Sequence, residues 1–119
     1  MNQHEKLNYV EFPSRDLELT KNFFTAALGW KFTDYGPDYA AFSDEGLDGG
    51  FFRADQASTT KTGAALLGFY SEHLAQTQQK IEQAGGTIVK PIFSFPGGRR
   101  FHFTEPCGNE FAVWSDQTD

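Results

Sequence analysis

The sequence holds a single cysteine, Cys107, so no intramolecular disulfide can form, and a reducing cytoplasm is the expected setting. No apolar run comes near the roughly 18 residues that a membrane-spanning helix needs. The opening residues, MNQHEKLNYVEF, lack the basic and then apolar order of a secretory signal. Positive charge is scarce as well. Lys and Arg number 10 against 16 Asp and Glu, for a net charge of −6, and only Arg99 and Arg100 form a basic pair. Nucleic acid and anionic membrane would meet no attractive field, so neither is expected as a partner.

Aromatic side chains are what the sequence has in quantity. They make up 16% of the 119 residues, with 13 Phe among them. Such rings bury a large area each, which suits a compact core or an apolar ligand cavity. A chain of this length builds one domain around one core.

Hydrophobic periodicity orders that domain. KLNYVEF alternates like a strand, Asp16 is a good N-cap for the helix LELTKNFFTAAL, and Gly29 supplies its stop. Leu17, Phe24, Ala27 and Leu28 share one helical face. Short strands are predicted at 30–35, 38–43 and 49–54, with SDEGLDGG as turn chemistry between the last two. The order then repeats at an offset of about 56 residues. A strand in AALLGFYS leads to the helix EHLAQTQQKIEQA, which ends at Gly85-Gly86, and strands follow at 87–94, 99–104 and 110–115. The fold class is therefore α+β: two tandem βαβββ modules, at about 6–55 and 63–116, forming a curved mixed sheet around a cleft with the helices outside.

Period-2 alternation then assigns faces. Val10, Phe12, Leu67, Phe69, Phe101, Phe103, Phe111 and Val113 go to the helix side. The cleft receives Tyr9 and Glu11, then Arg100 and His102, and from the last strand Glu110, Ala112 and Trp114.

NYVEFPSRDL, FFTAALGW, GFYSEHLAQTQQKIEQAGG and EPCGNEFAVW, in this order and spacing, resemble the vicinal-oxygen-chelate superfamily of glyoxalases, bleomycin-resistance proteins and extradiol dioxygenases. The resemblance runs from about Leu7 to Trp114 and implies the same fold and cleft. It also implies that metal-using members carry ligands on the cleft face of the first, fourth, fifth and eighth strands. The matching positions here hold Tyr9, the Gly and Phe residues of GGFFRA, Leu66 and Ala112. A divalent cation needs several N, O or S donors converging on it, and this set does not supply them, so no metal cofactor is expected. Since many relatives are homodimers, the resemblance implies a homodimer too.

The candidate ligand-binding residues are Tyr9, Phe42, Phe52, Arg100 and Trp114: aromatic walls, and one guanidinium able to fork a carboxylate or phosphate. Glu11 and His102 form a candidate acid–base pair, the carboxylate orienting an imidazole that titrates near neutrality. Cys107 lies in a turn with no base nearby, and PGGRR reads as a hairpin turn without the Lys-Ser/Thr of a phosphate loop. Three functions remain open: metal-independent binding of a small, partly apolar ligand; an enzyme using lyase-like or metal-free acid–base chemistry; and an interaction module whose cleft its own side chains fill.

Overall fold

The computed structural model describes residues 2–117. Strand β1 (Tyr9–Ser14) leads to helix α1 (Leu17–Leu28) and strands β2 (Phe32–Asp34), β3 (Tyr39–Glu45) and β4 (Leu47–Arg53). A linker with a 3-10 turn at Thr60–Thr62 follows. Then come β5 (Leu67–Tyr70), α2 (Leu74–Gln83), β6 (Thr87–Phe95), β7 (Gly98–Thr104) and β8 (Glu110–Ser115). Each module forms its own four-stranded mixed sheet, ordered β1-β4-β3-β2 and β5-β8-β7-β6. The outer pairs β1/β4 and β5/β8 are parallel and the remaining pairs antiparallel. The α+β class and the tandem βαβββ order agree with the sequence reading.

Local chemistry explains the helix limits. The Asp16 side chain accepts the Leu19 N–H and caps α1, and Gly29 ends it in the left-handed conformation at φ 74°. The expected turn SDEGLDGG is mostly strand instead. Asp44 (φ 65°) and Gly46 (φ 101°) take left-handed conformations, so the chain reverses within a few residues and β4 can begin at Leu47.

The apolar strand faces and the two helices share one aromatic core. Phe24, fully buried, packs on Phe51 of the first sheet and on Phe69 and Phe111 of the second. Phe12 meets Phe111 with ring centroids 5.0 Å apart, and Phe23 meets Phe103 at 5.9 Å. Phe42 belongs to this core as well, 5% exposed and 4.6 Å from the Trp30 ring centre. With Trp30, Leu47 and Leu67 it also walls a cavity of about 290 Å³. In β3 the alternation sends Ala40 and Phe42 inward, and Phe42 lies over its register partner Gly49.

A buried polar cluster ties the closing turn to the first module. Asn109 accepts the Ser58 N–H and donates to the Pro13 carbonyl, at 2.8 and 2.7 Å. Glu105, 2% exposed, accepts from the Thr20 hydroxyl at 2.8 Å and from the Asn109 N–H at 3.2 Å. Burial pushes its carboxyl above the ordinary value of 4.5, despite those lowering hydrogen bonds. The folded chain thus holds a proton that the unfolded chain releases. Glu105 contributes most below pH 4.5, and that contribution is lost as pH rises through its higher folded value. In Glu105→Gln the hydroxyls of Thr20 and Ser14, 2.8 Å apart, can exchange donor and acceptor roles to receive the amide. Urea midpoints measured from pH 4.5 to about pH 8 should therefore fall for the wild type relative to Glu105→Gln. A wild-type advantage that grows with pH would contradict this.

Candidate functional site

The faces turned away from the helices carry the candidate chemistry, and each module has its own share. On the first, Glu11 Oε2 accepts from the hydroxyls of Tyr9 and Tyr39, each at 2.9 Å, and the two hydroxyls also touch each other. Tyr39 reaches Glu11 because Gly50 of β4 lies between their strands, paired with Glu11 on one side and Ala41 on the other. A Cβ on Gly50 would collide with the Tyr39 ring. Burial first, then hydrogen bonds to Tyr9 and Glu11, push the Tyr39 phenol far above its ordinary value. Phe52 and Glu11 line a hollow with linker residues including Gln56 and Thr62.

The second module's face holds a cavity of about 430 Å³. Leu66, Ala112, Trp114, Phe95 and Arg100 line it, and Gly68 opens it by having no side chain. Trp114 packs edge-on to Tyr70 at 5.0 Å and to Phe95 at 6.4 Å. The Arg100 guanidinium lies over the rings of Phe93 and Phe95, at 5.2 and 5.3 Å from their centres. Its Nε is buried without a hydrogen-bond partner.

His102 stands two residues further along β7 on the same face and is 6% exposed. Its Nδ1 lies 3.3 Å from Glu110 Oε2, while Nε2 is buried and unpartnered. The other Glu110 oxygen accepts from the N–H and hydroxyl of Thr60, at 2.8 and 2.9 Å. Burial pushes the Glu110 carboxyl up, but the bonds from Thr60 and His102 outweigh it, and the net shift is downward.

The carboxylate on His102 is thus Glu110, and the expected pairing with Glu11 is not made within the chain. Glu110 pairs with Thr104, which puts it diagonally across the β7–β8 ladder from His102 and within reach. Glu11 belongs to the other sheet and is held by two phenols. The register of TEPCGNE was the signal for Glu110, since a closing turn there fixes the diagonal neighbours.

The four positions that would hold a metal are either engaged elsewhere or offer no donor. Tyr9 is committed to Glu11 and Tyr39, Leu66 and Ala112 offer no donor, and the Tyr39 ring fills the space over Gly50. Asp48, also on β4, accepts from the Asp44 N–H. Among the described residues, no three His, Cys, Asp or Glu side chains gather to hold a metal ion. The four positions do not fit the cation that the fold's metal-using members carry. Likewise among the described residues, no helix is long and apolar enough to cross a membrane.

Comparison with known proteins agrees with the fold. A glyoxalase-related enzyme from Fulvimarina pelagi superposes with a TM-score of 0.78 at 15% identity, covering 93% of this chain and 88% of that one. The fosfomycin resistance protein FosX of Listeria monocytogenes, solved as an E126Q mutant with Mn(II) and 1S,2S-dihydroxypropylphosphonic acid, gives 0.77 at 19% identity, covering 98% and 93%. A glyoxalase/bleomycin resistance protein/dioxygenase family enzyme from Burkholderia phytofirmans gives 0.75 at 15%, covering 91% and 96%. At these identities the likeness is one of fold. No curated protein matches the chain. The family model, however, spans residues 6–113, nearly the whole molecule, and by that match the chain belongs to the Glyoxalase/Bleomycin resistance protein/Dioxygenase superfamily.

Proposed function

We propose that this protein binds a small, partly apolar ligand without a metal, in a cleft that two copies of the chain compose together. The cavity beside Trp114 carries this reading: it is large enough for a small molecule, mostly apolar, and open on the face that strand alternation reserves for a cleft. Its empty volume counts against a cleft filled by its own side chains. The donor-poor positions Tyr9, Gly50, Leu66 and Ala112 support binding without a cation.

The second copy follows from what one chain leaves uncovered. Leu7, Tyr9 and Tyr70 are 92%, 54% and 48% exposed, on or beside the edge strands β1 and β5. One face presents Glu11 with its phenols and the other presents Arg100, so these two groups are complementary in charge. Joining them would bring Tyr9, Glu11 and Phe52 of one copy over Trp114 and Arg100 of the other. The reducing cytoplasm remains the setting proposed for a chain whose one cysteine is free and buried.

Proton-transfer catalysis is the second reading, and His102 favours it. Glu110 on Nδ1 leaves Nε2 as the atom free to take a proton, with Glu11 arriving from the opposite face.

Light scattering and ligand thermal shifts test the proposal. The expected mass is twice 13.3 kDa, and an apolar ligand should raise the melting temperature of the wild type but not of Trp114→Ala. A monomer at all concentrations would sink the composite cleft. Stabilisation by divalent metal alone, by several degrees, would sink the metal-free reading.

A further inference from the structure

We infer that the ligand of the Trp114 cavity is a planar carboxylate, an aromatic or conjugated acid whose anionic end rests on Arg100. This rests on the binding role just proposed and names the chemical class that the site selects. Three observations on the second module's face converge on it.

Among the described residues no carboxylate pairs with Arg100, although the chain's net charge is −6. The nearby carboxylates are engaged elsewhere: Glu110 by His102 and Thr60, Asp116 by the Tyr70 hydroxyl. The guanidinium lies against two ring faces, and its Nε is buried and unpartnered. Phe93 and Phe95 fix the guanidinium from its ring-facing side, which lowers the cost of ordering it for a ligand. A planar guanidinium so held matches the two oxygens of a carboxylate in one plane.

The rest of the cavity is apolar and aromatic. Leu66 and Ala112 offer no hydrogen bond, and the Trp114 and Phe95 rings stand at 66° to each other. A flat body can lie on one ring while its edge meets the other. Beyond Arg100 the lining brings no second cation, so the cavity suits a single carboxylate on an apolar frame better than a compact dianion.

Titrations following tryptophan fluorescence test this, with Trp114→Phe separating the Trp114 signal from that of Trp30, which lines a neighbouring hollow. The probes are phenylacetate, its neutral amide phenylacetamide, and phenylphosphonate. Each is added to wild type, Arg100→Met and Gly68→Val. A Cβ on Gly68 meets only Ala112 and Trp114, at 3.9 Å, so the valine projects into the cavity without straining the fold.

Phenylacetate should bind the wild type at least about tenfold tighter than the amide. Arg100→Met should erase that preference, and Gly68→Val should block both probes. Equal binding of acid and amide, unchanged in Arg100→Met but blocked by Gly68→Val, would overturn the carboxylate assignment and leave the pocket standing. Tighter binding of phenylphosphonate than of phenylacetate would also overturn it. If no probe perturbs Trp114, or Gly68→Val binds like the wild type, the pocket reading falls and this inference with it.

Discussion

Replacing Phe24 with alanine should cost about 3–5 kcal/mol of stability, read as a lowered urea midpoint. The size follows from where the ring sits. Phe24 is fully buried and meets Phe23, Trp30 and Phe51 of its own module at centroid distances of 5.0, 4.6 and 5.5 Å. It also meets Phe69 and Phe111 of the second module, at 6.5 and 5.6 Å. Removing the ring opens a cavity walled by other rings, which are too rigid to collapse into it. Because the lost contacts belong to both sheets, the denaturation curve should stay a single transition while its midpoint falls. Two separate transitions would show that the modules fold independently, contrary to the shared core.

Gly49→Ala should destabilise by about 3 kcal/mol, the upper end of what overpacking usually costs. A Cβ at this position collides with the Val10 carbonyl oxygen and approaches the Phe42 ring to 2.9 Å. The first obstacle is backbone, so relief means parting β1 from β4, the parallel pair that positions Tyr9 and Glu11. Gly50→Ala next to it is the informative control. There the atoms nearest the added Cβ all belong to the Tyr39 side chain, which can swing away from Glu11. The fold should survive with a loss of about 1 kcal/mol, while the Tyr39 phenol returns toward its ordinary value in an ultraviolet titration. Equal losses at the two glycines would refute the distinction between a backbone and a side-chain obstacle.

Much of this architecture could be read from spacing alone. Asp16 and Gly29 bracket α1 as their chemistry predicts, and Phe101/Phe103 against Arg100/His102 alternate across β7 as period 2 requires. What escaped lies beyond a single strand's pattern. Phe42 packs among the core rings, a facing that depends on the bulged turn of β3 at Asp44 and Gly46, where one residue of slip reverses every side chain. His102 was matched to Glu11 because a face assignment says which way a residue points and not which sheet lies opposite. Its actual partner, Glu110, needed the β7–β8 register. The role of Tyr39 was hidden for a related reason: a glycine's missing side chain is visible in the sequence, but the ring that lies across it is not.

The alternation along β7 and β8 has an evolutionary consequence. Phe101, Phe103, Phe111 and Val113 answer to the core, while Arg100, Ala112 and Trp114 on the same strands line the cavity. Under the proposed binding role, mutations at every second position would rewrite ligand preference while the intervening residues keep the protein foldable. Inheritance of the scaffold is thereby uncoupled from inheritance of the chemistry, strand by strand. A lineage could exchange the residue at position 112 and still pass on the same domain.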